Sequence, residues 1–291
     1  MSFITKYFPT DITEDPFAKY RPFPANPQSN LAAHWHEILA SFLFYLIVQE
    51  LSGPIFSRVM GPTYTKLPKR TKVNFDVHVA SMVQCVVSFV LLVAHFNNEH
   101  FLNREQDPVN SLVGTTPFGC MVCSVTVGYF LWDIYVCTRY YRLFGLGFLF
   151  HGFAAAYAMG AGLLPYCQPW AGAFLTFELS TPFVNLNWFA SKLPAGTFNE
   201  RTIIINGLCL IISFFLVRIV WGFYAVYLLA CDMLATWHLV PAFLPVSILA
   251  LNFSLDTLNV FWLSKMIRIA IKKASGKEST RQAAHDAEKI E

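Results

Sequence analysis

Seven runs of apolar residues, each near the roughly 20 that a helix needs to cross the hydrocarbon core of a bilayer, constrain this chain more than any other feature. They fall at about 37–55, 77–96, 118–138, 143–164, 169–189, 203–229 and 245–267. Charged residues make up 13% of the 291-residue chain, about half of what an ordinary soluble domain carries. The expected fold is therefore all-α: a polytopic membrane bundle of about seven transmembrane helices enclosing a lipid-sized cavity. Three regions follow, a polar N-terminal segment over 1–32, the bundle over 33–273 and a charged tail over 274–291. The first run has ambiguous limits, because Gln49 and Glu50 beside Gly53 and Pro54 read as its exit from the membrane.

Basic residues orient the bundle. With seven crossings, the loops at 58–72, 139–142 and 192–201 share one side with the C-terminal tail. Sixteen Lys and Arg lie there, against four on the other side. The richer side is expected to be cytosolic and the N-terminus luminal. The first thirty residues lack the basic start and short apolar core of a cleavable signal peptide.

The polar residues inside the runs are the candidates for function, since such groups are costly in a bilayer and commonly have a task there. His78, Asp133, His151 and Asn185 stand on four different runs, all toward the basic side. Helical spacing puts His78, Ser81, Cys85 and Ser88 on one face, Glu178, Thr181 and Asn185 on another, and Asn252, Asp256 and Asn259 on a third. His78, Glu178, Thr181, Asn185, Asn252 and Asp256 are expected to line a cavity. Each also has a structural reading, as an interfacial histidine or a helix-to-helix hydrogen bond. Arg218, deep in the sixth run, is expected to pair with a carboxylate such as Glu178 or Asp256. Pro182 is expected to bend the fifth run. His151 is the foremost chemical candidate, because an imidazole serves as base or nucleophile near neutral pH, and Asp133 is the second.

No cofactor or metal is expected. Cys120 and Cys123 form a CxxC, but no second cysteine pair or histidine cluster accompanies them. Nucleic acid is not an expected partner. The oligomeric state is open.

Gly128-Tyr129-Phe130-Leu131-Trp132-Asp133, followed by His151 and then by the stretch from Glu178 to Trp188 (ELSTPFVNLNW), resembles the TLC-domain family of membrane lipid proteins. The resemblance spans about 72–273 and is nearest to the small members that are not ceramide synthases. It implies a helix bundle around a lipid-sized cavity, residence in the endoplasmic reticulum, and a part in lipid metabolism, sensing or homeostasis. The family's ceramide synthases transfer an acyl group from acyl-CoA to a sphingoid base, using two adjacent histidines and downstream aspartates. Here His151 stands alone between Phe150 and Gly152, and Glu178-Leu179-Ser180-Thr181 replaces the synthases' His-Asp motif.

Three functions remain open on these residues. The first is acyl transfer from a thioester such as acyl-CoA to a membrane lipid, with His151 as base or nucleophile and Asp133 or Asn185 orienting it. Lys66, Lys69, Arg70, Lys72, Arg139 and Arg142 would then receive the phosphates of the donor. The second is lipid binding or regulation without chemistry. The third, transport, is weaker, since the two halves of the sequence show no internal repeat.

Overall fold

A computed structural model describes residues 13–95 and 98–274. The expected charged tail over 274–291 lies, but for its first residue, outside the described residues, as do the first twelve residues of the N-terminal segment. Six helices are long and apolar enough to cross a membrane. They are α1 (Asn30–Val59), α2 (Lys69–His95), α3 (Pro117–Arg139), α4 (Tyr141–Ala161), α7 (Glu200–Ala235) and α8 (Phe243–Ala274). The fifth expected crossing is present in pieces: α5 (Ala171–Leu175), a 3-10 stretch (Thr176–Ser180) and α6 (Thr181–Lys192). No strand occurs among the described residues.

Helix starts follow from capping side chains that accept orphan backbone N–H groups. The Ser29 hydroxyl accepts from the Ala32 amide at 3.2 Å, Thr116 from Gly119 at 3.0 Å and the Asn199 side chain from Arg201 at 3.0 Å. Pro117 follows the Thr116 cap, at a position where a missing N–H costs nothing. Pro182 obeys the same rule. Rather than bending a continuous helix, it opens α6, and the chain before it tightens into 3-10 turns.

The centre of the bundle is α3. Its most apolar stretch is 72% buried, against 22–28% in the other five long helices, which turn outer faces of Leu, Ile, Val and Phe to the lipid. Close approach makes this burial work. A Cβ on Gly128 would lie 2.5 Å from the Ile38 carbonyl oxygen and 2.6 Å from the Ser41 Cβ, so only glycine lets α1 and α3 touch there. At the same crossing the Ser41 hydroxyl donates to the Val125 carbonyl at 2.7 Å. Tyr45 and Trp132, both with no exposed surface, pack beside it with Tyr129.

Polar side chains tie α1, α2 and α3 together internally. The Tyr45 hydroxyl donates to Gln84, Gln84 donates to the Ser88 hydroxyl at 2.7 Å, and the Trp132 indole donates to Gln49 at 2.9 Å. Gln49 is thus a tether inside α1 and not the mark of its exit. That helix runs on through Pro54 to Val59.

α7 also departs from expectation. It runs for 36 residues and contains a π turn at Phe215–Val220. Such a turn inserts an extra residue and re-aims the side chains beyond it, and here it holds Arg218 inside the bundle.

The two ends of the bundle are distinct. At one, Tyr64, Phe75, Phe189, Leu193 and Phe198 cluster, and Arg70 donates to the Arg142 carbonyl at 2.9 Å. The loops at 58–72, 139–142 and 192–201 therefore share that end. At the other end, Gln168 donates to the Thr116 carbonyl at 2.8 Å, and Arg104 lies 3.3 Å from the carboxylate of Asp232.

Replacing Gly128 with alanine forces α1 and α3 apart. We expect a loss of about 1–3 kcal/mol, the usual cost of overpacking, read as a lowered melting temperature of the detergent-purified protein. Gly147→Ala, where no atom lies within 4 Å of an added Cβ, is the control and should change little.

Candidate functional site

Asn185 is the hub of the expected polar set. Its side-chain N–H donates to the Ser81 hydroxyl at 3.1 Å and points at the Cys85 sulfur at 3.9 Å. Its Oδ1 is therefore the acceptor that faces His78 Nδ1 at 2.8 Å, so Nδ1 carries the proton. In the neutral ring this leaves the lone pair on Nε2. The imidazole stacks on Trp188, with ring centres 4.3 Å apart. Three residues of the α2 stripe thus meet one residue of α6, while Ser88, the fourth, bonds Gln84 within α2.

Asp133 of α3 packs against α4 beside His151, at Gly152. Gly152 makes that contact close, since a Cβ there would come within 2.9 Å of Asp133 Oδ2. The only hydrogen-bond partner of Asp133 among the described residues is the Cys137 thiol, 3.8 Å away. The His151 ring lies edge-on between Phe130 and Trp262, each at 6.0 Å, so it bridges α3, α4 and α8 by packing. Its buried Nδ1 has no hydrogen-bond partner. Asp133 and Asn185, the two groups proposed to orient this imidazole, do not bond it.

Arg218 departs from the expected ion pair. Its Nε donates to the Ser180 hydroxyl at 2.9 Å and a terminal nitrogen to the Thr181 hydroxyl at 3.1 Å. The guanidinium also sits over the rings of Phe214 and Phe177. No carboxylate lies within 4.0 Å of it among the described residues. Arg218 is held by Ser180, the last residue of the 3-10 stretch, and by Thr181, the first residue of α6, so two hydroxyls stand where a carboxylate was expected.

Glu178 is half-buried, and its side chain has no hydrogen bond or ion pair among the described residues.

The α8 stripe contributes less. Asn252 donates to the Ile248 carbonyl of its own helix at 2.8 Å, the ordinary way to satisfy a buried amide. Asp256 is buried beside Gly222, where an added Cβ would lie 3.5 Å from its Oδ1.

Beside the His78 network runs an apolar cleft of about 300 Å³, lined by Phe56, Met60, Val79, Met82, Phe189 and Phe198 among others. That volume sits at the lower bound for small-molecule sites. Phe189 is shared between the two, packing edge-on against His78 at 5.9 Å. None of the residues expected to line a cavity borders this cleft. Its walls are ordinary Phe, Met and Val, which carry no sequence signal that separates them from lipid-facing residues.

Comparison with known proteins places this arrangement in context. The TLC domain model (TRAM_LAG1_CLN8) matches residues 74–268. The chain is 40% identical over 266 residues to Topoisomerase I damage affected protein 4 of Saccharomyces cerevisiae, covering 89% of this chain and 92% of that one. It is 36% identical to an uncharacterized TLC domain-containing protein of Schizosaccharomyces pombe, over 87% and 84% of the two chains. TLC domain-containing protein 4 of Homo sapiens is 28% identical over 76% and 82%. No solved structure matches.

Asn185→Leu removes the acceptor of His78 and the donor to Ser81 while keeping the side chain's bulk. Stranding buried polar groups costs about 1–3 kcal/mol. We expect a corresponding fall in melting temperature, and a double variant His78→Phe/Asn185→Leu should recover part of it.

Proposed function

The chain belongs to the TLC-domain family, and from that premise we propose that it handles membrane lipid and serves membrane lipid homeostasis. An alkyl chain occupies the apolar cleft, and the polar part of the lipid meets the His78–Asn185 network. The observation that carries this reading is the shared wall: Phe189 lines the cleft and packs on His78. Burial of each methylene in such a cleft contributes about 0.8 kcal/mol, and His78 Nε2 offers a lone pair to a hydroxyl or amide of the bound lipid. The protein resides in the endoplasmic reticulum membrane, with the basic end of the bundle toward the cytosol, as the sixteen-to-four split of Lys and Arg supports.

A second reading is acyl transfer, and the partnerless Nδ1 of His151 favours it. In that reaction the acyl carbon passes from the sulfur of a thioester such as acyl-CoA to a lipid hydroxyl or amine, and the thiol leaves with the proton that the acceptor gives up. The exposed Lys66, Lys69 and Arg70 would meet the phosphates of the donor.

Lipid retained by the detergent-purified protein, identified by mass spectrometry, tests the first reading. Val79→Trp fills the cleft and should reduce retained lipid severalfold while leaving Asn185 and His78 in place. Wild-type protein without lipid, or an unchanged content in Val79→Trp, overturns it. His151→Ala separates the two readings: it should leave retained lipid unchanged, and it abolishes turnover of a labelled acyl-CoA only if acyl transfer is the activity.

A further inference from the structure

A second polar cluster lies at the opposite end of the bundle, about 15 residues, or roughly 22 Å, along α1 from the level of Gln49. His34 and Glu37 are one turn apart on α1, so both face the N-terminal segment. That segment folds back along the helix and is pinned at several points. The Trp35 indole donates to the Phe23 carbonyl at 2.8 Å, Arg21 donates to the Ala33 carbonyl at 3.1 Å, and the Phe118 amide donates to the Thr13 carbonyl at 2.8 Å. The result brings Asp15 against His34 and Glu37. All three side chains are more than nine-tenths buried.

Two of their oxygens are left over. Asp15 Oδ1 accepts the Phe17 amide at 2.7 Å, but Oδ2 has no hydrogen-bond partner. Glu37 Oε2 faces His34 Nδ1 at 3.0 Å, while Oε1 has no hydrogen bond: His36 Nε2 lies 3.9 Å from it and is engaged by the Phe17 carbonyl at 3.1 Å. One imidazole proton cannot serve two carboxylates, and buried anions without donors are strongly unfavourable. The three ligand atoms already lie within 4.8 Å of one another. His34 Nδ1 stands 3.4 Å from Asp15 Oδ2 and 3.0 Å from Glu37 Oε2. Tetrahedral ligands at zinc-to-nitrogen and zinc-to-oxygen distances of about 2.0–2.1 Å are separated by about 3.3 Å, between these two values.

We propose that Asp15, His34 and Glu37 bind a divalent first-row transition cation, zinc foremost, at the end of the bundle remote from the His78 network. The donor set of one imidazole nitrogen and two carboxylates suits such an ion. A cavity of about 340 Å³ borders Asp15 and His34 and leaves room for water as a fourth ligand. Binding displaces the proton on His34 Nδ1. The ion also clamps the N-terminal segment to α1, which makes the site structural as well as a place for chemistry. The CxxC cysteines take no part as a pair: Cys120 touches this cavity and accepts from Gln168, whereas Cys123 packs in the apolar core. This inference stands apart from the lipid reading.

The test uses the full-length protein purified in detergent without chelator. Elemental analysis should find about one first-row metal per chain. After stripping with a chelator, titration with zinc chloride should raise the melting temperature by several degrees once zinc exceeds its dissociation constant about 100-fold. Asp15→Asn and His34→Gln should each weaken zinc binding by more than the 10–100-fold typical of losing an outer-shell partner. Glu50→Gln, an exposed carboxylate on the same helix, should not. Stripped wild-type protein whose melting temperature ignores zinc, manganese and iron(II) overturns the proposal, and this measurement decides alone if the variants do not fold. Zinc binding that is unchanged in folded Asp15→Asn and His34→Gln also overturns it.

Discussion

Every polar group carried into the apolar interior has to find its partner inside the protein, and the rest of this structure is arranged around that demand. Tyr45, Gln84 and Ser88 form one chain of bonds, Trp132 and Gln49 another, and Asn185 with His78 and Ser81 a third. Each joins different helices or fixes a side chain at a junction. In a membrane, where apolar side chains gain little by leaving lipid for protein, such bonds and close packing are what select one helix arrangement.

The break in the fifth crossing is best understood in the same terms. A continuous helix through 169–189 would keep the hydroxyls of Ser180 and Thr181 in ordinary helical register. The junction of the 3-10 stretch with α6 instead directs both at Arg218, and the π turn of α7 brings the guanidinium to them. Two departures from regular helix thus meet at one buried cation. The arrangement leaves the Glu178 side chain without a hydrogen bond or ion pair among the described residues.

The two ends of the bundle differ in character. Around His78 the polar atoms are bonded and the space beside them is apolar, as suits an amphipathic molecule entering from the bilayer. Around His34 the cavity is of similar volume, and two carboxylate oxygens are left without hydrogen-bond donors, as the proposed cation needs. The two proposed sites thus differ in chemistry and lie toward opposite ends of the bundle.

Legibility in the sequence divides along physical lines. The long crossings were readable because apolar length is a local property, and the grouping of His78, Ser81 and Cys85 on one face followed from helical spacing, whereas their meeting with Asn185 did not. Pro182 was misjudged because its effect depends on whether the helix already runs before it. Gln49 looked like a boundary because polarity alone does not reveal a partner such as Trp132, 83 residues away. Asp15 carried no signal at all, since nothing local to a polar, proline-rich segment tells that it will be buried against α1. What the sequence by itself determined is a membrane bundle with polar stripes turned inward, because periodicity and hydropathy act over one or two turns. Which stripe meets which, where the fifth crossing breaks, and which carboxylates are left unpaired were decided only in the tertiary structure, because those outcomes rest on contacts between residues far apart in the chain.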